Sequence, residues 1–397
     1  MIKVGVVFGG VSVEHEVSII SAVQAMNKLD TEKYEIIPIY ITKDNEWYTG
    51  QPLKEIETYR DMDLLKRFTT NVVLYKKNDE FVLQRKGGLF KSVVNTVDVI
   101  LPVVHGTNVE DGCLQGYFRT IDIPFAGSDV LASAIAQDKI VQKEIFECRK
   151  LPIAKYVWFY DFEYNEDPEE YIKKIEKEVK FPCIVKPATL GSSVGIASCA
   201  NREALEKAID EATKYDDKII VEEKIENLTE VNISVLGTPD NVKLSAIEEV
   251  TTSDELLTFD DKYINGSKKG GSSKGMASAA RKVPAQIDKK LEDEVRRVAE
   301  EAFRACNLSG DVRIDFLIDQ KKKSVYINEI NSCPGSLAFY LWDPIGKNFT
   351  NLLDDMINIA IKNYRKRKNK THTFDSNILS GFQGGLKGTK GLKGKLR

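Results

Sequence analysis

Two stretches near the C-terminal end, DVRIDFLID at 311–319 and SVYINEIN at 324–331, carry the strongest pattern in this chain. Both are rich in β-branched residues and predict strands. Side chains alternate between the two faces of a strand, so Arg313 and Asp315 project from the same face. The corresponding pair in the second stretch is Glu329 and Asn331. We expect two adjacent strands that present one arginine, two carboxylates and one amide together.

These side chains indicate a magnesium site. Oxygen donors of this kind suit Mg²⁺, which takes one or two carboxylates and completes its shell with waters and substrate phosphates. Arg313 beside them suits charge that develops on a phosphoryl or tetrahedral centre. The alternative is a solvated polar strand face with surface ion pairs. It is disfavoured because Phe316 and Ile330 are core-like neighbours, and buried charges need partners.

Composition narrows the class of protein. A chain of 397 residues suits two or three domains, and 42% hydrophobic with 29% charged residues is typical of a globular protein. No apolar run approaches the roughly 18 residues needed to cross a bilayer, which predicts no stable membrane insertion. A net charge of −3 gives no reason to expect nucleic acid. The opening MIKVGVVFGG predicts a buried strand, not a signal peptide, and six scattered cysteines favour a cytoplasmic enzyme with reduced thiols.

The C-terminal segment differs in composition from the rest of the chain. From Tyr364 it continues RKRKNK and it ends GGLKGTKGLKGKLR, a glycine-lysine repeat that cannot bury a core. We predict that residues 364–397 form a disordered basic tail. Contact with an anionic membrane surface is the alternative, and a solvated tail is preferred.

The first 128 residues alternate predicted strands with predicted helices. Strands are expected at IKVGVVFGG, YEIIPIYI and VDVILPVV, with helices over 13–29 and 112–120. Such alternation predicts a parallel sheet, whose ligands gather at the carboxyl ends of the strands. The polar segment 50–95 is expected to be a peripheral hairpin or excursion.

The remainder is expected to contain further mixed units. SDVLASAIAQDKIVQKEIF, at 128–146, predicts one amphipathic helix, and the last helix is expected to end at Tyr364. Between them, KPATLGSSVG at 186–195 predicts a glycine- and serine-rich turn between strands. Its backbone N–H groups could cover a polyphosphate while Lys186 offsets the charge. It is not a Walker loop, and an ordinary turn is the alternative.

Two further segments point to a substrate site. His105 begins HGTNVEDG at the end of an apolar strand, where ligands of parallel sheets bind. A satisfied core histidine explains that residue equally well when the segment is taken alone. Glu14 lies in GGVSVEHEVS, near the start of a helix, where a simple helix cap is the alternative.

Together these segments resemble the D-alanine–D-alanine ligase family of the ATP-grasp superfamily. The matching motifs are GGxSxExxVS, HGxxxEDGxxQG, DK, VKPxxxGSSxG, VE…E, KY…PA, RxDF and NEIN…PG, in the family's order over most of residues 1–362. The resemblance implies an α/β fold, α+β in its ATP-grasp part. A Rossmann-like parallel-sheet domain would occupy 1–128. An ATP-grasp would follow, with a small subdomain at 129–224 and a C-terminal subdomain at 225–363 that contains a lid loop at 259–285.

The resemblance also implies a role for individual residues. Those expected to bind ATP are Lys139, Lys186, Glu222, Glu223, Ile225, Glu230 and Lys262. Glu14, Ser192 and Tyr263 would form a hydrogen-bonded group, and Glu14 and His105 would face the first amino acid. Arg313 and the N–H of Gly335 would form an oxyanion hole. Two Mg²⁺ ions, with Mn²⁺ as an alternative, would be held by Asp315, Glu329 and Asn331.

The implied activity joins two D-alanines, through an acyl phosphate, into a peptidoglycan precursor. A related ligase with another acceptor, such as D-serine or D-lactate, is one alternative, and the retained Tyr263 favours a dipeptide product. A non-catalytic ATP-binding paralogue is another. A dehydrogenase would need GxGxxG, which GGVSVEHE does not supply. Family members are commonly dimeric, so the resemblance implies a homodimer.

The chain departs from the family's pattern at three places. Val109 replaces a glycine in the motif after His105, and the lid has an insert at 264–283. After NSCPG the chain continues SLAFYLWDP, where the family normally has a serine that binds the second substrate's carboxylate. Ser336 is expected to replace that serine. The aromatic residues expected to reshape the acceptor pocket are Phe339, Tyr340 and Trp342.

Overall fold

The computed structural model describes residues 1–88, 91–191, 194–250, 281–373 and 376. These residues form three sheets, of seven, four and five strands, with helices packed on them. The α/β fold class is confirmed. The sheets follow one another along the chain. Among the described residues singled out above, Glu14, His105, Lys139 and Lys186 lie where the sheets meet.

The first sheet has strand order β6-β5-β4-β3-β2-β1-β7. Its elements in chain order are β1 (Ile2–Gly9), α1 (His15–Met26), β2 (Tyr34–Ile41), β3 (Trp47–Thr49), α2 (Met62–Phe68), β4 (Thr70–Lys77), β5 (Glu80–Arg85), β6 (Val93–Val97), β7 (Val99–Val103) and α3 (Cys113–Thr120). Two short 3₁₀ segments, Gln51–Lys54 and Ile56–Arg60, precede α2.

This first sheet is only partly parallel. β1 pairs in parallel with β2 and β7, as predicted, whereas β3 to β6 pair antiparallel. The reason is chain length: the link from Ile41 to Trp47 is a tight turn, and a parallel crossover needs a dozen residues or more. The polar excursion predicted at 50–95 therefore extends the sheet by antiparallel strands.

The second sheet has order β10-β9-β11-β8, and its neighbouring strands pair antiparallel. Its part of the chain contains α4 (Val130–Gln137), α5 (Lys139–Cys148), β8 (Tyr156–Tyr160), α6 (Asp161–Glu166), α7 (Pro168–Glu178), β9 (Cys183–Pro187), β10 (Ala197–Cys199), α8 (Arg202–Ala212) and β11 (Lys218–Glu223).

The single helix predicted over 128–146 is wrong, because α4 and α5 are separate. Asp138 between them has extended backbone (φ −96°, ψ 105°), and its carboxylate accepts hydrogen bonds from the N–H groups of Ile140 and Val141. An aspartate with this geometry ends one helix and caps the next. Lys139 therefore occupies the first position of α5.

The third sheet has order β14-β13-β12-β15-β16. Its elements are β12 (Leu228–Thr238), β13 (Asn241–Val250), β14 (Arg281–Lys282), α9 (Lys289–Ala305), β15 (Gly310–Asp319) and β16 (Ser324–Asn331). Two 3₁₀ segments, Gly335–Leu341 and Asp343–Ile345, lead to the final helix α10 (Phe349–Lys368).

Alternation along β15 separates the core from the candidate site. Ile314 and Phe316 are fully buried with Val295 and Phe303 of α9. Burying each such side chain contributes roughly 1.5–3 kcal/mol, which holds α9 against one face of the sheet. The intervening Arg313 and Asp315 are thereby directed to the other face.

The final helix is longer than predicted. It runs through Lys368, so the prediction that disorder begins at Tyr364 is wrong. Lys368 Nζ lies 3.0 Å and Arg367 Nη2 3.4 Å from the carboxylate of Asp122, and basic residues in a last turn also favour the helix dipole. Residues 377–397 of the predicted tail lie outside the described residues. Across the ranges that the structure describes, no helix is both long and apolar enough to span a bilayer.

Candidate active site

The centre of the candidate site is a bidentate pair within β15. Arg313 Nε and Nη2 donate to the two carboxylate oxygens of Asp315, each at 2.7 Å. β16 pairs with β15 so that Asp315 lies opposite Glu329 and Arg313 lies opposite Asn331. Asn331 Nδ2 donates to Asp315 Oδ2 at 3.1 Å. The structure thus brings together the arginine, two carboxylates and amide that strand alternation placed on one face.

A polar row crosses the third sheet through this centre. Asp315 lies opposite Asn232 on β12, and Asn232 lies opposite Glu248 on β13. The Asn232 amide is 3.2 Å from Asp315 Oδ1, and both Asn232 and Glu248 are buried. Sequence reasoning missed these two residues because their strands lie about 70 residues before β15. Pairing across the sheet is a non-local contact that periodicity does not report.

The predicted metal trio has a donor set that fits Mg²⁺. Asp315, Glu329 and Asn331 supply carboxylate and amide oxygens from two neighbouring strands. Among the described residues no group of three or more His, Cys, Asp or Glu side chains could hold a metal ion. The predicted trio falls outside that definition because its third member is an asparagine. Asp315 gives both oxygens to Arg313, so metal binding competes with Arg313 for that carboxylate.

Two buried lysines border the trio. Lys139 Nζ lies 3.6 Å from Glu329 Oε2 and donates to the carbonyl of Leu190 at 2.8 Å. Lys186 Nζ donates to Asn328 Oδ1 at 3.1 Å. Both predicted phosphate-binding lysines therefore reach β16 beside the predicted metal trio.

Glu222 lies in a buried ion cluster that the sequence did not indicate. Its carboxylate is 2.6 Å from Lys186 Nζ and 2.9 Å from Lys143 Nζ. Burial alone raises the pKa of Glu222, but the two lysines outweigh burial and hold the pKa at about 2. Glu222 was expected at the adenine, whereas its side chain orients Lys186. The only available signal for Lys143 was its place one turn after Lys139 on the buried face of α5.

Three other predicted nucleotide residues, Glu223, Ile225 and Glu230, lie near the junction of the second and third sheets. Glu223 ends β11, where its N–H donates to the carbonyl of Lys155 at 2.9 Å, and Ile225 is buried just beyond it. Glu230 lies in β12. Lys262, Tyr263 and Ser192 lie outside the described residues.

Glu14 lies where the first sheet meets the glycine-serine turn. A Cβ atom added to Gly106 would lie 2.9 Å from Glu14 Oε2, and one added to Gly191 would lie 3.0 Å from the same atom. The carboxylate is therefore lodged between two glycines from different parts of the chain. Only residues without side chains permit this approach.

His105 holds the turn that carries Gly335. Its Nδ1 lies 2.8 Å from the carbonyl of Cys333, and its Nε2 lies 3.1 Å from Ser21 Oγ. Ser21 Oγ also accepts from the N–H of Ser336 at 2.9 Å. Burial lowers the pKa of His105, which favours the neutral ring, and a proton on Nδ1 satisfies both contacts. Histidine and serine thus hold the residues on both sides of Gly335.

Glu110, in the motif that begins at His105, ties the same turn to the first sheet. Its carboxylate accepts from the N–H groups of Gly106 at 3.0 Å and Cys333 at 2.8 Å. Burial raises the pKa of Glu110 to about 7, and the charge of Glu14 adds to the effect. Val109 beside it is buried against Gly10, where a Cβ would lie 2.4 Å from Val109 Cγ1. The turn in which Val109 replaces the family's glycine is therefore packed against the first glycine-rich motif.

The segment after Gly335, where the sequence departs from the family's pattern, has an unusual backbone conformation. Ser336, Leu337 and Ala338 all have left-handed backbone, with φ of 52°, 51° and 42°, and all three are buried. Each such non-glycine residue costs roughly 1–2 kcal/mol, so surrounding contacts must hold this turn.

Of the three aromatic residues expected at the acceptor pocket, one lies beside the polar row. Phe339 stacks on Phe349 at 4.6 Å, and Trp342 is fully buried with Nε1 donating to Asp311. Tyr340 instead directs its hydroxyl to Glu248 Oε2, at 3.2 Å. Tyr340 is therefore the aromatic residue of this segment that contacts the polar row.

Comparison with known proteins gives consistent matches over nearly the whole chain. Family models described as D-ala D-ala ligase N-terminus and D-ala D-ala ligase C-terminus match residues 3–128 and 145–358. The D-alanine–D-alanine ligase of Thermosipho melanesiensis is 38% identical, over 96% of this chain and 98% of its own length.

Solved structures agree. The VanG D-Ala:D-Ser ligase of Enterococcus faecalis is 30% identical, with a TM-score of 0.75 over 90% of this chain and 99% of its own. The D-alanine–D-alanine ligase of Coxiella burnetii is 26% identical, with a TM-score of 0.76 over 92% of this chain and 96% of its own.

Proposed function

Because the chain belongs to the D-alanine–D-alanine ligase family, we propose that it joins two D-alanines with conversion of ATP to ADP and phosphate. The product, D-alanyl-D-alanine, would enter peptidoglycan precursors in the cytoplasm. In this proposal residues 1–128 bind the first amino acid, 129–224 and 225–363 clamp ATP, and a lid predicted at 259–285 closes over them. Residues 259–280 of that lid lie outside the described residues, and Arg281 and Lys282 near its end form β14. The observation that carries it is the group of Arg313, Asp315, Glu329 and Asn331 bordered by Lys139 and Lys186.

Nucleotide binding would depend on the buried lysines. Lys139 and Lys186 lie beside the metal ligands and would offset the charge of the phosphates, joined by Lys262 from the lid. Glu222 holds Lys186 in place. The backbones of Glu223 and Ile225 would meet adenine, and Glu230 would bind the ribose hydroxyls.

Two Mg²⁺ ions, or Mn²⁺, would be held by Asp315, Glu329 and Asn331. When bound, the ions would neutralise charge on the phosphates during transfer. Binding at Asp315 would release the Arg313 guanidinium from its bidentate contact. Arg313 would then be available to a substrate oxygen.

Activation of the first amino acid comes next. Its carboxylate would attack the γ-phosphate and form an acyl phosphate. Glu14, which lies beside Gly191, would pair with the ammonium group of that amino acid, and Ser192 and Tyr263 would complete this hydrogen-bonded group. His105 would support the same substrate while it holds the Gly335 turn.

Peptide bond formation would complete the reaction. The amine of the second amino acid attacks the acyl carbon, phosphate leaves, and the amine loses a proton. Arg313 and the N–H of Gly335 would stabilise the tetrahedral oxyanion. The lid excludes water, which would otherwise hydrolyse the acyl phosphate.

A panel of D-amino acids tests the proposal. Purified protein with ATP, Mg²⁺ and D-alanine is expected to release phosphate and yield D-alanyl-D-alanine, identified by mass spectrometry. ATP turnover without dipeptide would contradict the proposed reaction, and ATP binding without turnover would favour the non-catalytic paralogue.

A second candidate is a ligase that uses D-serine as acceptor. The similarity to a protein named D-Ala:D-Ser ligase and the unusual segment after Gly335 favour it. Mixed incubations with D-alanine and either D-serine or D-lactate separate these acceptors. Sedimentation of the full chain tests the proposed homodimer.

A further inference from the structure

Arg281 occupies an unusual position at the far end of the polar row. It opens β14 and pairs across the sheet with Val250 of β13. Its guanidinium lies 4.4 Å from the centre of the Tyr340 ring, and its Nη1 lies 3.1 Å from Glu248 Oε1. The Arg281 side chain is 15% exposed and that of Glu248 is 4% exposed. Arg281 is therefore a nearly buried cation fixed on one aromatic face.

Two nitrogen atoms of the Arg281 guanidinium have no hydrogen-bond partner among the described residues. Its Nε and Nη1 are buried, and within the described parts of the chain neither makes a hydrogen bond of acceptable geometry. Nη1 and Glu248 Oε1 form an ion pair without hydrogen-bond geometry, and the Tyr340 hydroxyl donates to the other oxygen of that carboxylate. A buried guanidinium with unsatisfied N–H groups is a costly arrangement unless a ligand completes it, and planar carboxylates fit its fork.

The position of Arg281 relative to the reaction centre indicates which ligand would bind its guanidinium. The phosphate-binding lysines lie at the β16 side of Asp315, whereas Glu248 and Arg281 lie at the β13–β14 side. In acyl transfer the amine adds to a face of the planar acyl group, and the leaving phosphate lies in that plane. With the phosphates at the β16 side, the β13–β14 side is left for the second amino acid, whose carboxylate carbon lies only two bonds from its nitrogen.

Tyr340 lies near both Arg281 and Arg313. It lies five residues after Gly335, contacts Arg281 with its ring, and is close enough to Arg313 for their charges to act on each other. Ser336, expected from sequence to bind the second carboxylate, is buried, and its backbone N–H donates to Ser21 Oγ. Arg281, against the Tyr340 ring, offers that carboxylate a cationic partner.

We propose that Arg281, oriented by Glu248 and Tyr340, binds the α-carboxylate of the acceptor amino acid. This inference rests on the proposed ligase activity and adds a specificity-determining residue to it. Arg281 selects acceptors that carry a free carboxylate, and its pairing with Glu248 matches the two charges of a zwitterionic amino acid.

The test separates activation from acceptor binding. Hydroxylamine intercepts the acyl phosphate without using the acceptor site: its nitrogen attacks the acyl carbon, phosphate leaves, and D-alanine hydroxamate forms with loss of a proton. In Arg281→Gln, the kcat/KM for the acceptor in dipeptide formation is expected to fall roughly 10- to 100-fold, because charge-assisted hydrogen bonds to the acceptor are lost. Hydroxamate formation is expected to stay within about twofold, which also shows that the variant is folded.

Acceptor chemistry gives a second readout. The wild-type protein should prefer D-alanine over D-alaninamide, which lacks the carboxylate, and Arg281→Gln should lose that preference while Arg281→Lys retains part of it. The control is Lys282→Gln, because Lys282 is the neighbouring residue and its exposed side chain pairs with Glu249. Unchanged discrimination in Arg281→Gln would overturn the inference. Absence of hydroxamate in the wild type would instead overturn the proposed function.

Discussion

The carboxylate of Glu222 lies 2.6 Å from Nζ of Lys186, and both side chains are buried. Lys143 lies on the other oxygen, so one carboxylate separates two interior ammonium groups. A buried charge that loses its partner is strongly destabilising, because desolvation is no longer offset. This cluster therefore links the stability of the second sheet to the placement of a lysine at the candidate active site.

The cluster predicts unequal effects of substitution. Glu222→Gln leaves two buried lysines facing each other and is expected to lower the free energy of unfolding by roughly 3–5 kcal/mol. Lys143→Met leaves Glu222 paired with Lys186 and should cost less. Urea unfolding of both variants measures the difference, with Glu206→Gln on the surface of α8 as the control. Equal losses in the two variants would contradict the account.

The metal trio predicts a loss of activity, and Asp315→Ala, which leaves the nearly buried Arg313 without its carboxylate, should also lower stability. Asp315→Ala or Glu329→Ala is expected to reduce D-alanine-dependent phosphate release by at least roughly 100-fold, because the phosphates lose their metal. Glu300→Ala, an exposed position on α9, is the control. Titration with Mn²⁺, followed by electron paramagnetic resonance of the free ion, provides an independent measure of metal binding. Undiminished phosphate release in either variant would remove these residues from the metal site.

The hydrogen bonds of Ser21 to His105 and to the N–H of Ser336 lead us to predict a defect in turnover when Ser21 is replaced. Ser21→Ala would leave the N–H of Ser336 and Nε2 of His105 without their shared partner, so the Gly335 turn should lose its alignment. We expect the kcat of dipeptide formation to fall about tenfold, equivalent to one or two hydrogen bonds, with little change in the KM for ATP. Glu16→Gln, exposed on the same helix, should behave as wild type. A raised KM for ATP with unchanged kcat would argue against an alignment role.

Asp311 predicts a pH dependence of stability. Burial raises its pKa to about 7, while Ser234 and Trp342 donate to only one of its oxygens. The folded state therefore keeps a proton that the unfolded chain releases near pH 4, and stability falls as pH rises from about 4 to about 7. Asp311→Asn keeps an oxygen acceptor and carries no charge.

Thermal unfolding at several pH values checks this sign. The variant should gain stability relative to wild type on going from pH 5 to pH 8. A difference between the two proteins that stays constant over this range would show that Asp311 does not titrate there. Comparison with wild type matters because Glu110, also with a pKa of about 7, titrates in the same interval.

Local pattern and three-dimensional contact determine different features of this protein. Alternation along β15 and β16 is a property of neighbouring residues, so the sequence alone predicts that Arg313 shares a face with Asp315, and Glu329 with Asn331. Family motifs indicate Lys139 and Lys186 for the same reason: the signal lies within a few consecutive residues. The capping aspartate at 138 is equally local, and the prediction of one continuous helix overlooked it.

Other features depend on segments far apart in the chain. Asn232 and Glu248 join the site only because β12 and β13 pair beside β15, and Lys143 meets Glu222 across about 80 residues. The antiparallel half of the first sheet depended on how short turns fold back. Short-range spacing thus identifies which side chains share a face, because strand and helix periods are set by the backbone. Which faces meet, and which charges become buried against each other, follows from packing and burial that no short stretch encodes.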